Sequence, residues 1–417
     1  MDKLLIIEDS FLIRKVIKHI ATERLDCEFE FAENFAQAKE MLGHNDYFLA
    51  LCDLHLPDAP NGEVIEYALS KGLPTIVLTA TINEELRDRI LTNGVLDYIY
   101  KENRDSYITA INLINQLIRN RKITVLVADD SRAIRSYTAT QVKKLLYNVV
   151  EAEDGEQALQ IIESNENIGL LITDYNMPKL NGIELIRRIR QKYSREDFPI
   201  IGLSSTSDPT VSARFIKHGA NDFLMTPFIQ EEFQWRVLTV VDQVMMIAKI
   251  QDAANRDYLT NLYNRRHFFS KATAAYQHAM ADNLRLNVCL LDIDLFKNIN
   301  DTFGHDVGDC VLIELAKKIN HWLEGMTVAR YGGEEFVMLI PDMDRQRASE
   351  LLEAFRQDIE QSTFNKAGKQ VKCTVSIGVA DELTEATTIE EMINNADVAL
   401  YEAKKRGRNQ IKWYRQS

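Results

Sequence analysis

"KLLIIEDSFLIRKVI" from Lys3 and "TVLVADDSRAIRSYT" from Thr124 share one pattern of apolar and polar positions: an unbroken apolar run, an acidic pair, then the start of a helix. A short apolar run closed by polar residues reads as a strand buried on both faces. The pattern returns in "LALCDLHLPDAPNG" and "LLITDYNMPKLNG", where a second strand ends on one aspartate and proline follows four places later. Asp9 and Asp130 are 121 positions apart, and so are Asp53 and Asp174. "TIVLTA" then matches "IIGLSS", and "LDYIYKEN" matches "NDFLMTPF", at a separation of 125 for Thr79 with Ser204 and for Lys101 with Thr226. Two copies of one alternating β/α domain therefore occupy residues 1–122 and 123–240, the second with a four-residue insertion.

From Glu231 to Asp257 there is neither proline nor glycine. Phe233, Val237, Val240, Val244, Ile247, Ala254 and Tyr258 alternate spacings of four and three, with Gln251 in the one polar place. That seam predicts a helix over 231–257 that continues the second domain's last helix. Its first half is expected to pack on the second sheet and its later half to pair with the same helix of another subunit.

A new α/β segment follows over 258–417. "NVCLLDIDLFKNIND" reads as a buried strand that ends in Asp292 and Asp294, and "TVARYGGEEFVMLI" as two strands around a tight turn in which Gly332 and Gly333 supply positive φ. If those strands are neighbours, Asp292 can share a cation with Glu334 or Glu335; otherwise the turn is a hairpin with charges at its tip. Lys404 and Arg408 in "YEAKKRGRNQ" supply positive charge for phosphates, lysine as a point charge and arginine as a fork.

Composition narrows the readings. The chain has 417 residues, 46% hydrophobic and 27% charged, with a formal net charge of −13. That charge argues against nucleic acid or an anionic membrane as partner, since such binding depends on lysine and arginine. Five cysteines without a Cys-x-x-Cys pair fit a reducing compartment. The start, "MDKLLIIEDS", has too short an apolar run for a secretory signal, and no window holds about 18 uncharged apolar residues. The expected location is the cytoplasm.

In a doubly wound sheet the strand C-termini share one edge, so Glu8, Asp9 and Asp53 should converge there. Carboxylates that close require a divalent cation, for which Mg²⁺ with a reactive central aspartate is the economical arrangement. With these motifs in register, both copies resemble receiver domains of two-component response regulators. The resemblance implies flavodoxin-like folds and a phosphoacceptor at Asp53, with Asp174 secondary. It implies metal binding by Glu8, Asp9 and Asp53 in the first copy and by Asp129, Asp130 and Asp174 in the second. Thr79 and Lys101, or Ser204, would bind the phosphoryl group, and Tyr98 and Phe223 would be the reporting aromatics. Thr226 stands where the family has lysine and cannot supply its charge, which casts the second copy as an adaptor or weak acceptor.

The segment from Asp257 to Trp413 resembles a GGDEF-type diguanylate cyclase through "DYLTNLYNRRHF", "DIDLFKNINDTFGHDVGD", "ARYGGEEF", "TVSIGVA" and "ADVALYEAKKRGRN". The resemblance implies a ferredoxin-like α/β domain that condenses two GTP into cyclic di-GMP and two diphosphates, one GTP per subunit of a homodimer. Asp292, the Ile293 carbonyl, Glu334 and Glu335 would hold Mg²⁺, or Mn²⁺ in its place. Glu334 and Glu335 are the catalytic candidates, Glu334 as base. Asn300 and Asp309 would read guanine. Phe296, Lys297, His305, Gly332, Gly333, Lys404 and Arg408 complete the substrate site. The family's Arg-x-x-Asp product site falls on Leu323 and Met326, which implies weak feedback inhibition there. A histidine kinase or phosphotransfer protein would supply the phosphoryl group. The competing reading is a non-catalytic two-component adaptor that binds GTP or partners through a degenerate cyclase domain.

Overall fold

The computed structural model describes residues 3–80, 94–165, 167–205, 210–366, 368–381, 383 and 387–415. The chain divides into two compact units, Met1–Ala248 and Lys249–Ser417.

The first unit contains the repeat. Strands β1 (Lys3–Ile7), β2 (Glu28–Ala32), β3 (Leu49–Asp53), β4 (Thr75–Thr79) and β5 (Asp97–Tyr100) form a sheet ordered β2-β1-β3-β4-β5. The second sheet holds β6 (Thr124–Ala128), β7 (Asn148–Ala152), β8 (Ile168–Asp174), β9 (Ile200–Ser204) and β10 (Asp222–Met225), in the order β7-β6-β8-β9-β10. Pairing is parallel throughout. Both are the flavodoxin-like order expected of doubly wound domains. The apolar runs become central strands buried on both faces, β3, β4 and β9 from end to end. Helices start where a side chain can cap them: Ser10, Asn34 and Asn103 in the first copy, Asp154 and Asn181 in the second, each accept from a backbone N–H of the first turn.

The helix Gln230–Asn255 continues the second copy. Phe233, Val237, Leu238, Val240 and Val241 are buried against the second sheet. Past them the stripe opens: Met246, Ile247 and Ile250 are exposed apolar side chains. Tyr258, expected at the end of the seam, lies beyond the helix and is exposed. Within the first unit, the helix Arg104–Asn120 of the first copy lies along Gln230–Asn255. Gln116 Nε2 donates to the Leu238 carbonyl at 3.0 Å, and Arg119 pairs with Asp242 at 3.2 Å. Asn120 Nδ2 donates to the Leu145 carbonyl at 2.9 Å.

The second unit is built on a sheet ordered β11-β13-β14-β12-β17-β18, with strands β11 (Tyr263–Asn264), β12 (Leu286–Ile293), β13 (Thr327–Arg330), β14 (Glu335–Pro341), β17 (Val375–Ala380) and β18 (Ile411–Trp413). β15 (Phe364–Lys366) and β16 (Lys369–Val371) form a separate hairpin. The four central strands are antiparallel, and their order with a helix after β12 and another after β14 is the ferredoxin-like arrangement. The core divides over the two sheet faces, one cluster around Phe336, Phe355 and Leu315, the other around Phe268, Val337 and Leu400.

Gly378 on β17 shows how tightly the helix Ile389–Lys405 seats on this sheet. A Cβ there would stand 2.1 Å from the Ala396 carbonyl oxygen and 2.3 Å from the Leu400 nitrogen, both backbone atoms that cannot swing away. Gly378→Ala should cost the second unit about 2 kcal/mol or more, as forced overpacking does. Denaturant unfolding followed by the tryptophans at positions 322 and 413 checks this, with the transition moving to lower denaturant.

Candidate functional site

Three acidic sites form at strand C-termini. In the first copy β1 delivers Glu8 and Asp9, and β3 ends on Asp53. Their oxygens lie within 4.8 Å of one another, the one such group of three possible metal donors among the described residues. Oxygen donors in that number suit a hard divalent cation. Lys101, just past β5, reaches across, its Nζ 2.6 Å from Glu8 and 2.7 Å from Asp53. Burial pushes the Glu8 carboxyl above its usual value despite that lysine. Burial also pulls the Lys101 ammonium down, but its two carboxylate partners outweigh this and hold it up. The Tyr98 hydroxyl donates to Glu231 at 3.1 Å, in the first turn of the helix Gln230–Asn255.

The second copy repeats the frame without the cation. The Thr226 N–H donates to the Ser204 carbonyl at 2.9 Å, as the Lys101 N–H does to the Thr79 carbonyl at 2.8 Å, so the two residues hold equivalent places after their strands. Asp129 is buried, and its Oδ2 has no hydrogen-bond partner. Burial, aggravated by Asp174, pushes its carboxyl up to about 6. Burial raises Asp174 as well. Phe223 packs on Phe215 with ring centroids 5.4 Å apart.

Sequence reasoning missed an arginine in each copy. Arg14 Nη1 donates to the backbone carbonyls of Glu8 at 2.8 Å and Asp9 at 2.6 Å, and Arg135 Nη1 donates to the Asp129 carbonyl at 2.7 Å. Each stands five residues after the second acid of the pair, a spacing visible in both repeats.

In the second unit β12 and β14 are neighbours, with Asp292 opposite Glu335 in the antiparallel register. The Ile293 N–H faces the Glu334 carbonyl at 3.4 Å. Lys404, in the last turn of Ile389–Lys405, sits 2.8 Å from Asp292. Burial pushes Asp292 up against the pull of that lysine, and Glu334 is raised by burial and by Asp292. Asp292, Glu334 and Glu335 thus act on one another at the end of the β12–β14 pair, less tightly gathered than Glu8, Asp9 and Asp53, and oxygen donors of this kind suit a divalent cation.

The turn itself departs from expectation. Neither Gly332 nor Gly333 is among the positive-φ residues. A Cβ on Gly332 would lie 2.8 Å from Glu335 Oε2, the end of a flexible side chain, and one on Gly333 would meet nothing within 4 Å. The turn is clamped from outside by Arg330, which donates to the Gly333 carbonyl at 2.7 and 3.1 Å and to Asp257 at 3.1 Å. Asp257 also accepts from the Thr260 N–H and hydroxyl. Nothing in the motif "DYLTNLYNRRHF" marks Asp257 for this task.

Asp294 proves to be a brace. It accepts from Thr374 Oγ1 and Ser376 Oγ, each at 2.7 Å, and from the Asn409 N–H at 3.0 Å. Asn300 lies against the start of the helix His305–Trp322, since a Cβ on Gly308 would lie 1.9 Å from Asn300 Oδ1. Phe296 is buried, while Lys297, His305, Asp309 and Arg408 are exposed. A cleft of about 710 Å³ runs past Asp294, Asn298, Thr302, Lys372 and Arg408, on the other side of the helix Phe296–Phe303 from Asn300. Leu323 is buried in the core and Met326 packs against it, so neither presents a polar group.

Residues 4–112 and 125–238 match the family model "Response regulator receiver domain", and residues 254–410 match "Diguanylate cyclase, GGDEF domain". The chain is 27% identical over 379 residues to the response regulator PleD of Caulobacter vibrioides, covering 82% of this chain and 83% of that one. It is 34% identical over 171 residues to diguanylate cyclase A of Treponema denticola, covering 39% and 45%. A crystal structure of a two-component system response regulator/GGDEF domain protein aligns at a TM-score of 0.54 and 40% identity, covering 59% of this chain and all of that one.

The second copy's uncompensated acid yields a pH prediction. A carboxyl raised in the folded state favours the protonated form, so its stabilising effect is present at low pH and is lost as pH rises through about 6. In chelator, Asp129→Asn should raise the melting temperature at pH 8 and bring no gain below pH 4; equal melting curves at pH 8 would refute the assignment.

Proposed function

Because the chain belongs to the response regulators, with two receiver domains followed by a GGDEF diguanylate cyclase domain, we propose that phosphorylation of the first receiver controls condensation of two GTP into cyclic di-GMP and two diphosphates. The observation that carries the catalytic half is the β12–β14 register, which sets Asp292 opposite Glu335 with Lys404 on Asp292.

GTP is the substrate and the receivers take their phosphoryl group from a phosphodonor protein, a histidine kinase or phosphotransfer partner. In the cyclase, Asp292, the Ile293 carbonyl, Glu334 and Glu335 hold a divalent cation, Mg²⁺ or Mn²⁺. When bound, that ion offsets charge on the triphosphate and on the departing diphosphate. Lys404, Arg408 and the backbone at Phe296 and Lys297 bind phosphate oxygens, and Gly332 and Gly333 let the substrate approach the turn. Asp309 accepts from the guanine N1–H and N2–H donors and Asn300 can donate or accept along the same edge, with His305 in the same motif.

Glu334, raised by burial and by Asp292, takes the proton of the 3′-hydroxyl as that oxygen attacks the α-phosphorus of the second GTP. The bond to the β-phosphate bridging oxygen breaks and diphosphate leaves. The same step with the roles exchanged closes the ring, so two cyclase domains must face each other. We assign that pairing to a homodimer through the exposed stripe of Met246, Ile247 and Ile250.

In the first receiver, Asp53 accepts the phosphoryl group beside a cation held by Glu8 and Asp9, and Lys101 and Thr79 take its oxygens. The second receiver has Asp129, Asp130, Asp174 and Ser204 but Thr226 in the lysine's place, and acts as an adaptor. The same lack of an Arg-x-x-Asp pair at Leu323 and Met326 supports weak feedback inhibition there.

Glu334→Ala should lower cyclic di-GMP formation at least about 100-fold without lowering the melting temperature, as read by chromatography of the products; unchanged turnover would favour the non-catalytic adaptor. Asp53→Asn should abolish labelling by a small-molecule phosphodonor and any stimulation that phosphorylation brings, and undiminished labelling would move the acceptor to Asp174. Gly308→Ala should push Asn300 off its position and raise the KM for GTP by about tenfold or more, with discrimination against ATP falling in the same protein.

A further inference from the structure

The backbone after the helix Ile389–Lys405 is held in a conformation that L-residues avoid. Gly407, Arg408 and Asn409 have φ of 115°, 63° and 46° in succession. Arg408 stands in a left-handed region that is unfavourable for L-residues other than Asn and Asp, while Asn409 is of the type that enters it more readily. Such strain persists only where the surroundings over-determine it. The helix end accounts for Gly407, through the Arg406 N–H to the Glu402 carbonyl and the Arg408 N–H to the Ala403 carbonyl, each at 3.0 Å, but neither bond reaches Asn409; Gln410 Nε2 adds a bond to the Ala403 carbonyl at 2.9 Å.

The rest of the restraint falls on Asn409. Its N–H donates to Asp294 Oδ2 at 3.0 Å. Its side-chain amide is gripped at both ends: Oδ1 accepts from Arg356 Nη1, and Nδ2 donates to Glu360 Oε1 at 2.8 Å. Arg356 is itself fixed, at 8% exposure, by both oxygens of Glu353 at 2.6 and 3.0 Å and by Glu360 at 2.8 Å. These three side chains stand on the helix Arg345–Gln361, outside every motif that identifies the cyclase. The consequence of the turn is the placement of Arg408, whose charge acts on Asp292. A fork donor works only when its plane is set in advance, and a flexible arginine at the end of a strained turn would lose that setting.

We propose that Arg356, acting through Asn409, is a positioning residue that locks the left-handed turn presenting Arg408 to the triphosphate of GTP. Arg356 touches no substrate. The inference rests on the reading of Arg408 as a phosphate ligand, and it adds that this ligand's effectiveness is set from a helix remote in sequence.

The test is a double-mutant cycle in the full-length protein under constant activating conditions, measuring kcat and KM for GTP. Arg356→Met should lower kcat/KM about tenfold through KM, with the melting temperature of the second unit largely kept. Asn409→Gly tolerates the backbone but loses the grip, so it should show the same rise, and the two changes together should add nothing further. This second variant keeps the test decisive should Arg356→Met fail to fold. In an Arg408→Ala background neither substitution should change KM again. A full Arg356 or Asn409 effect persisting in that background would overturn the positioning role and leave Arg408's role standing. An Arg408→Ala protein with the parent KM would instead overturn the phosphate reading, and this proposal with it.

Discussion

Carboxylates gathered at the ends of strands repel one another, and the three sites of this chain are three answers to that constraint. Two charges at the 4.8 Å that bounds Glu8, Asp9 and Asp53 repel by about 3 kcal/mol at an effective dielectric of 20. The first receiver answers with Lys101, bonded to two of the three acids. The second has no ammonium at that place, and Asp129 responds by holding its proton up to about 6. The cyclase answers with Lys404 on Asp292. If Lys404 takes the phosphates as proposed, substrate entry and the loss of its bond to Asp292 are one exchange of partners.

Around these sites the fold is mostly a means of keeping strand ends in register. β12 is buried along its whole length and lies between β14 and β17. A one-residue slip against β14 would turn every side chain to the opposite face and remove Glu335 from Asp292. Asp294 closes the arrangement, tying the end of β12 to Thr374 and Ser376 and to the loop that carries Arg408. The strand-end acid beside the metal candidate is thus a structural member, although the two aspartates look equivalent in the sequence.

The repeat, the parallel sheets, the neighbouring strands β12 and β14 and the acids at their ends were legible because each depends on local periodicity or on a spacing that recurs. What escaped was the set of restraints between distant segments. Arg330 finds Asp257 across 73 residues, and Asn409 finds Asp294 across 115. No periodicity records such a pair. Gly332 was misread for a related reason: a glycine in a turn does not by itself announce a positive φ, and only the folded backbone shows that neither Gly332 nor Gly333 adopts one. The helix Gln230–Asn255 was visible as a seam, yet its end at Asn255 was not, because Tyr258 continues the spacing after the backbone has left the helix.

The hydrogen bond from Tyr98 to Glu231 joins β5 of the first receiver to the opening turn of a helix that runs 26 residues. Free energy passed through such a contact is reciprocal. To whatever extent the state of Asp53 biases that helix, a bias imposed on the helix alters Asp53 by the same amount. On the proposed function, a partner that favours one setting of the helix would therefore shift the phosphorylation equilibrium at Asp53 by that same free energy, and the output end of the chain would weigh on its own input.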